Sequence, residues 1–592
     1  LAAADGVTLS GMVKRIFALI VIMFAVPVIV GGFGDPQPVA DFVFSSTAEH
    51  NNRDPQQMTY LHDIRLTHAL FETLVILDFN DMKTYPGVAE SWEISEDGLT
   101  YTFHLRDNAR WSNGDPVTSH DFIYAWQRAM LPDTAAGYGH FMFFIQGAQD
   151  FFRWRTQQLE EYVKSYGSAG SEQAAREYWD EALKKFDQMV ALSAPDDYTL
   201  TIRLNRRTEY FIDMLAFATY MPVHAESVQA SVIFNADTGR LLYDPTYWND
   251  ADRLICNGPY VLKDRKYRRY NFLVANDYYW DRASMKNSSV LELIVNNEQS
   301  QLLSYEAGDI DYVPGVIPEI AFDLIKQDRD DVHVVPMAGT YFYNFNCLPE
   351  LKNGEKNHLA DWRVRRALAM AIDRDEISRS ITRLNEDPAY SFVPPKALSF
   401  YQPPVEDGPH FDPQGAKALL KEAGYEGGKG LTGLTIMYNT NGGHENTAQA
   451  VKNMWKTHLG VDVTLEGVET KISSERARTQ DYTIRRTGWY GDYADPTTWL
   501  DIRRSEDENN TTKWKNPEYD KLLDEAADAS DPKERLELMR RAESILLKES
   551  PMALIYHQVS VELYDPAKVK GLNLNGWSRV RFENISVDRD AE

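Results

Sequence analysis

The sequence predicts a mixed α/β (α+β) protein of several domain-sized units, and three observations carry that expectation. At roughly 100–200 residues per domain, a chain of 592 residues is too long for one core. Period-two text alternates with text of helical period all along the chain after Asp35, with no internal repeat or low-complexity linker to separate independent modules. Well-capped helices run directly into strands, the pattern of sheets covered by helices. Hydrophobic residues make up 43% of the chain and charged residues 25%, a composition that excludes a disordered or fibrous protein.

The elements follow in order. Lys14 and Arg15 precede an unbroken apolar run from Ile16 to Val30, then Gly31 and Gly32: the basic, hydrophobic and small-residue regions of an export signal. Its 15 residues fall short of the roughly 20 that cross a bilayer as a helix. The run is therefore read as a signal peptide or, if uncleaved, a signal anchor. No Cys follows it for lipid attachment, and Leu1 to Gly11 ahead of Met12 are the mark of a misassigned start. Leu99, Tyr101, Phe103 and Leu105 alternate with polar residues, as do Tyr198, Leu200, Ile202 and Leu204, so both stretches are half-buried strands. The Glu-, Lys- and Gln-rich stretch from Phe151 to Val190 reads as one or two surface helices. Asp412, Pro413 and Gly424 bracket a helix with an N-cap, an N1 proline and a terminating glycine, followed by the strand LTIMYN. The same logic predicts helices over Asp361 to about Ser380, Asn446 to Leu459 and Asp531 to Lys548, and a strand over Val461 to Leu465.

Several chemistries are excluded or unsupported. With 62 Lys and Arg against 88 Asp and Glu, a net charge of −26, the chain repels nucleic acid, and no nucleic-acid partner is expected. Cys256 and Cys347 allow one disulfide at most and no zinc cluster. There is no H-E-x-x-H, G-x-S-x-G or Walker lysine loop, and no metal or cofactor is expected. Gly428, Gly430 and Gly433 match G-x-G-x-x-G, but they follow a helix and enter a strand. Dinucleotide binding needs the reverse order, so this is an αβ loop. His104, His333 and His557 sit in strand text without ligand-spaced partners.

The informative segment is Arg485 to Trp499, RRTGWYGDYADPTTW, which reads as a loop after strand text over Asp481 to Ile484. Gly488 and Gly491 allow close backbone approach, Trp489, Tyr490 and Tyr493 offer apolar walls, and Asp492 supplies one fixed negative charge. A partly buried carboxylate needs a partner, because its desolvation costs several kcal/mol, and a ligand ammonium group would serve. Asp495 and Pro496 read instead as the start of a helix. Arg486 has two readings, as a structural counter-charge to Asp492 or as a bidentate contact for the carboxylate end of a zwitterionic ligand.

The stretch PGVAESWEISEDGLTYTFHLRDNARWSNGDPVTSHDFIYAWQR (Pro86 to Arg128) closely resembles the signature region of the family 5 extracellular solute-binding proteins. So do Asn257 to Tyr260, Tyr305 to Asp311, Arg363 to Leu368 and the loop Gly488 to Tyr493, all in the family's order. The resemblance spans nearly all of the chain after Phe44 and is nearest to the periplasmic oligopeptide-binding proteins of ABC importers. It implies a two-lobed periplasmic-binding-protein-like clamp of type II, with an extra domain inserted in the first lobe and a ligand enclosed between lobes. The expected boundaries are 1–34 for the leader, 35–72, 198–338 and 557–592 for lobe I, 73–197 for the inserted domain, and 339–556 for lobe II.

Carried over by position, the aspartate that holds a peptide α-ammonium falls on Asp492, in agreement with the reading of its loop. The arginine that meets a peptide C-terminus in relatives falls on Arg486, and an aromatic contact falls on Tyr138. Where relatives carry an acidic peptide contact, this chain has Thr59, with Leu61 two residues on, so the first-pocket contacts are expected to differ. A disulfide of some relatives is missing, because its positions are Tyr490 and Gly339. The resemblance implies a monomeric extracytoplasmic receptor for short peptides that presents them to inner-membrane ABC permease subunits and breaks no bond. The competing classes are the same fold binding a sugar, metal chelate, haem or opine, a membrane-tethered sensor, and a secreted hydrolase using Asp492 with a distant carboxylate.

Overall fold

The computed structural model describes residues 37–50, 52–78, 82–244, 246–440 and 443–590. The chain divides into two units, Leu1–Ala40 and Asp41–Glu592. Of the first, only Gln37 to Ala40 are described, without regular structure, so the apolar run from Ile16 to Val30 lies outside the described residues. Among the described residues no helix is long and apolar enough to cross a membrane.

The second unit opens with β1 (Phe42–Ser46), every residue of it buried. The helix Leu61–Leu70 follows, then a hairpin of β2 (Val75–Asp78) and β3 (Lys83–Pro86). The next four strands, β4 (Ala89–Ile94), β5 (Thr100–Leu105), β6 (Leu192–Asp196) and β7 (Thr199–Arg203), form one sheet in the order β4-β5-β7-β6. Tyr101, Phe103 and Leu105 are buried and their neighbours half-exposed, as period-two patterning requires. Since β6 and β7 pair as neighbours, a boundary between residues 197 and 198 cuts through one sheet. The polar stretch after Phe151 forms two helices, Ala148–Ser165 and Glu172–Met189, joined by the Phe151–Phe186 ring contact at 5.4 Å.

After the short hairpin of β8 (Val232–Phe234) and β9 (Leu241–Tyr243), the strands β10 (Tyr260–Lys266), β11 (Tyr270–Ala275) and β12 (Ser289–Ile294) complete a four-stranded sheet with β1 at one edge, in the order β1-β12-β11-β10. Only the β1 to β12 pairing is parallel. Its core includes Phe42, Phe44 and Tyr260, together with Phe582 from the far end of the chain, whose ring lies 4.8 Å from that of Phe44.

The largest sheet has the order β15-β14-β16-β13-β17, from β13 (Val332–Phe345), β14 (Thr435–Asn439), β15 (Thr464–Val468), β16 (Ile484–Tyr490) and β17 (Met552–Leu563). A last pair, β18 (Val569–Lys570) and β19 (Ser586–Val587), closes the chain. β13 is an interior strand, buried on both faces from Met337 to Phe345. Tyr341, Tyr343 and Phe345 enter a core with Leu368 and Trp455, while Ala338 and Phe342 enter another with Phe392 and Trp499. The register of β13 against β17 shifts between Pro336 and Thr340 and again between Tyr341 and Phe342, irregularities of the kind that locally increase strand twist.

Helices form at Pro413–Glu422 and Pro532–Glu549 as expected, with Asp412 and Asp531 accepting backbone N–H groups at their starts, and the helix expected from Asn446 begins at His444, after Gly443 and without a side-chain cap. Two expectations are corrected. The helix over Asp361 to Ser380 stops at Met370 and restarts at Arg374. The buried Arg374 guanidinium takes the carbonyls of Ala369 and Ile372, and Asp373 caps the next turn, so the chain breaks there. The strand placed at Val461 to Leu465 runs instead from Thr464, because Val461 and Val463 are buried as the connection into it. Both cysteines are free thiols.

Candidate functional site

The segment read as a loop is, up to Tyr490, a strand: Gly339 to Phe345 of β13 pair one to one with Tyr490 to Ile484 of β16. Its glycine is tolerated inside the ladder because a side chain on Gly488 would meet the Gln558 amide at 2.9 Å, so the bare Cα leaves room for Gln558. Alternation then decides which side chains reach which face. Arg486, Gly488 and Tyr490 share the face of Tyr341. Trp489 lies on the other, packed against the core of Phe342 and Trp499. Tyr490 lies over the bare Cα of Gly339, where a Cβ would come within 2.6 Å of its ring, and its hydroxyl donates to Gln558.

The chain leaves the sheet at Gly491, whose N–H donates to Ala338 O at 2.8 Å. Its lack of a side chain serves packing, since a Cβ there would sit 2.5 Å from the Trp499 ring. The N–H of Asp492 then donates to Thr498 Oγ1 at 2.9 Å. Asp495 starts the next helical turn as expected, accepting the N–H of Thr497 at 3.0 Å. The buried Arg535 guanidinium donates to both its oxygens, at 2.8 and 2.9 Å. These bonds hold the Gly491 to Pro496 turn and aim the Asp492 side chain away from the sheet.

Asp492 opens into a cavity of about 140 Å³ lined also by Thr59, Leu61, Tyr138, Tyr490 and Gly491. Six of the residues singled out in the sequence therefore meet at one place. Ile64, Phe217, Met337, Gly576, Trp577 and Arg579 complete its wall. These carry no local signal, because each comes from a segment remote in the chain. Tyr138 stands edge-on to Phe217 at 4.6 Å, and its hydroxyl points to Asp492 Oδ1 at 3.4 Å. Tyr493 turns the other way and stacks on Tyr210 at 5.0 Å, beside a second cavity of about 160 Å³ that Asp492 and Arg579 also line.

Arg486 does not neutralise Asp492. Its guanidinium lies 4.5 Å over the Tyr341 ring and donates to Asn439 Oδ1 at 3.1 Å, while its Nε has no partner. Arg486, Gly488 and Trp489 line neither cavity around Asp492. The cation near Asp492 is Arg579, which has no carboxylate within ion-pair distance among the described residues. Burial pushes the Asp492 carboxyl up to about 7, against the Tyr138 hydrogen bond and the Arg579 charge, which favour ionisation. Burial likewise lowers Arg579 to about 10. An incoming ammonium group would restore the ionised carboxylate and supply the partner it lacks.

A metal reading of the remaining acid and histidine groups does not fit. Among the described residues His50, His62 and Asp63 place ligand atoms close together, but both ring nitrogens of His50 are taken, by Asp63 at 2.9 Å and Glu292 at 2.7 Å. Burial opposes charge on His50, yet the two carboxylates raise it to about 9, so it is an imidazolium and offers no lone pair.

Comparison with known proteins gives the following. The family described as bacterial extracellular solute-binding proteins, family 5 Middle, matches residues 83–511. The oligopeptide-binding protein OppA of Bacillus subtilis is 33% identical over 84% of each chain. The periplasmic murein peptide-binding protein MppA of Escherichia coli is 33% identical over 89% of each chain. Among solved structures, the Haemophilus influenzae OppA in complex with the peptide RPPGFSPFR superposes with a TM-score of 0.69 and 28% identity, covering 93% of this chain and 100% of that one.

Proposed function

The chain belongs to the bacterial extracellular solute-binding proteins of family 5, and on that premise we propose that it captures short peptides between two lobes and delivers them to an ABC-type permease. The observation that carries this reading is the half-buried Asp492 carboxylate, set in a cavity walled by Tyr138, Leu61 and Tyr490 with no cation in contact among the described residues. A peptide α-ammonium supplies the missing charge, and a charge-assisted hydrogen bond of this kind contributes about 1.5–3 kcal/mol. Apolar walls, and hydrogen bonds along β16 beyond Arg485, where β14 no longer pairs with it, would hold the peptide backbone without reading its sequence. No bond is broken in this cycle. The ligand draws the lobes together because it contacts both only when they are closed, and the permease reads the closed form.

We assign lobe I to the sheet of β1 and β10 to β12, lobe II to the five-stranded sheet, and the inserted domain to β4 to β7, so that its end moves to Arg203. β13 and β17 cross between the lobes, and their bulge between Pro336 and Thr340 is the hinge. The site of action is outside the cytoplasmic membrane, as for the family. In that location the chain is released by osmotic shock if its leader is cleaved.

The test is calorimetric titration of the purified protein, refolded to shed bound ligand, with a pool of di- to pentapeptides and their N-acetylated forms. Tight binding that disappears on N-acetylation and in Asp492→Asn supports the ammonium clamp. Equal binding of acetylated peptides removes Asp492 from that role, and cleaved peptide recovered after binding overturns the receptor reading.

A further inference from the structure

The cavity of about 160 Å³ behind Asp492 carries more charge than an ammonium clamp requires. Arg65 and Arg579 both line it, and neither has a carboxylate within ion-pair distance among the described residues. Arg65 is 6% exposed. One of its Nη atoms donates to Ser578 Oγ at 2.6 Å, and its Nε has no partner. Arg579 lies with its guanidinium 5.4 Å from the Phe217 ring; burial makes its charge harder to hold, Tyr138 and Asp492 offset this in part, and the charge of Arg65 opposes it. Beside them the half-buried His68 has a buried Nε2 without a partner among the described residues.

The carboxylates on the same wall are already engaged. Glu583 pairs with Arg581 at 2.6 Å, Glu72 accepts from Tyr279 and Trp280, Asp213 accepts from Thr84, and Asp78 has a partner of its own. A buried guanidinium without a counter-ion costs several kcal/mol. Two of them turned into one chamber make a place for an anion.

Asp492, Phe217 and Arg579 line both cavities, so the chamber begins where a ligand ammonium would rest. In a peptide, the carbon that carries the α-ammonium also carries the first side chain. An N-terminal residue held at Asp492 therefore presents its side chain at the mouth of the two-arginine chamber. We propose that Arg65 and Arg579 form an anion-accepting pocket for the first side chain of the ligand, which makes this protein selective for peptides beginning with Glu or Asp. The inference rests on the peptide reading above and names the ligand class within it.

The experiment compares Glu-Ala-Ala with Gln-Ala-Ala, which has the same shape without the charge, by calorimetry on the full chain at neutral pH. The expected result is that the Glu peptide binds about 10- to 100-fold more tightly, the span of a charge-assisted hydrogen bond. That ratio falls to near one in Arg579→Gln and, independently, in Arg65→Gln, with circular dichroism confirming that each variant is folded. Inorganic phosphate added alone reports whether a free anion fills the chamber. Phosphate that abolishes the Glu preference while the Gln peptide still binds supports the same pocket. Equal affinity of the two peptides for the native protein, or a preference that survives in both variants, overturns the inference while leaving the receptor reading intact. Failure of every peptide to bind overturns both.

Discussion

Lowering the pH should weaken peptide binding through one group, and the size of the effect follows from its surroundings. The Asp492 carboxyl titrates at about 7 in the empty site, chiefly because burial penalises its charge. An ammonium ligand needs the ionised form, so protons compete with the ligand. The apparent affinity therefore holds above about 7 and falls about tenfold for each pH unit below it, reaching about 100-fold at pH 5. At the other limb the peptide α-amino group, with its usual pKa of about 7.7–8.0, loses its proton and binding falls again. The result is a maximum between about 7 and 8. Binding at pH 6 should also release nearly one proton from the protein, about 0.9 by the same arithmetic. Calorimetry from pH 5 to 9 in buffers of different ionisation enthalpy measures both quantities at once. In Asp492→Asn the acid limb should vanish along with most of the affinity. A flat affinity between pH 5 and 7, or no proton release at pH 6, would refute the placement of the ligand ammonium at Asp492.

Three further outcomes test the scaffold. His50→Leu strips the imidazolium from between Asp63 and Glu292 and leaves both carboxylates buried, so chemical denaturation should show a loss of about 3–5 kcal/mol. In the native protein the His50 contribution is complete below its ordinary pKa of 6.5 and is lost as pH rises through about 9, so the native stability should decline over that interval and the variant's much less. Arg535→Met leaves Asp495 buried without its bidentate partner, at a cost of about 3–5 kcal/mol, and amide exchange should accelerate over Tyr493 to Leu500 with a parallel fall in ligand affinity. Gly491→Ala drives a methyl group into the Trp499 ring, where the gap is 2.5 Å. A thermal melt should show a loss of about 1–3 kcal/mol, and the displaced turn should weaken peptide binding as well.

The local elements were legible because their causes are local. Asp412 with Pro413, and Asp531 with Pro532, hold the instructions for starting a helix within a few residues, and Thr100 to Leu105 declares its buried face by alternation. Asp492 stood out for the same reason, as a carboxylate set among glycines and aromatics within a few residues of chain. The helix break after Met370 was hidden, because Arg374 ends the helix partly through carbonyls of Leu554 and Pro409, which are remote in the chain. β16 was hidden too, since a strand containing a glycine and several polar residues is stabilised only by the neighbours it pairs with.

The sequence by itself determined the alternation of helices and strands, the family resemblance and the carboxylate that we propose as the counter-charge of a ligand. Tertiary structure alone decided what surrounds that charge. It brought Thr59, Tyr138 and Phe217 to Asp492 from one part of the chain and Arg579 from another, and it turned Arg486 and Trp489 away by the alternation of β16. The physical reason is that burial and electrostatic partnership depend on distance in space. The two arginines nearest Asp492 in the sequence, Arg485 and Arg486, make no ion pair with it, and the cation that shifts its proton affinity lies 87 positions further along the chain.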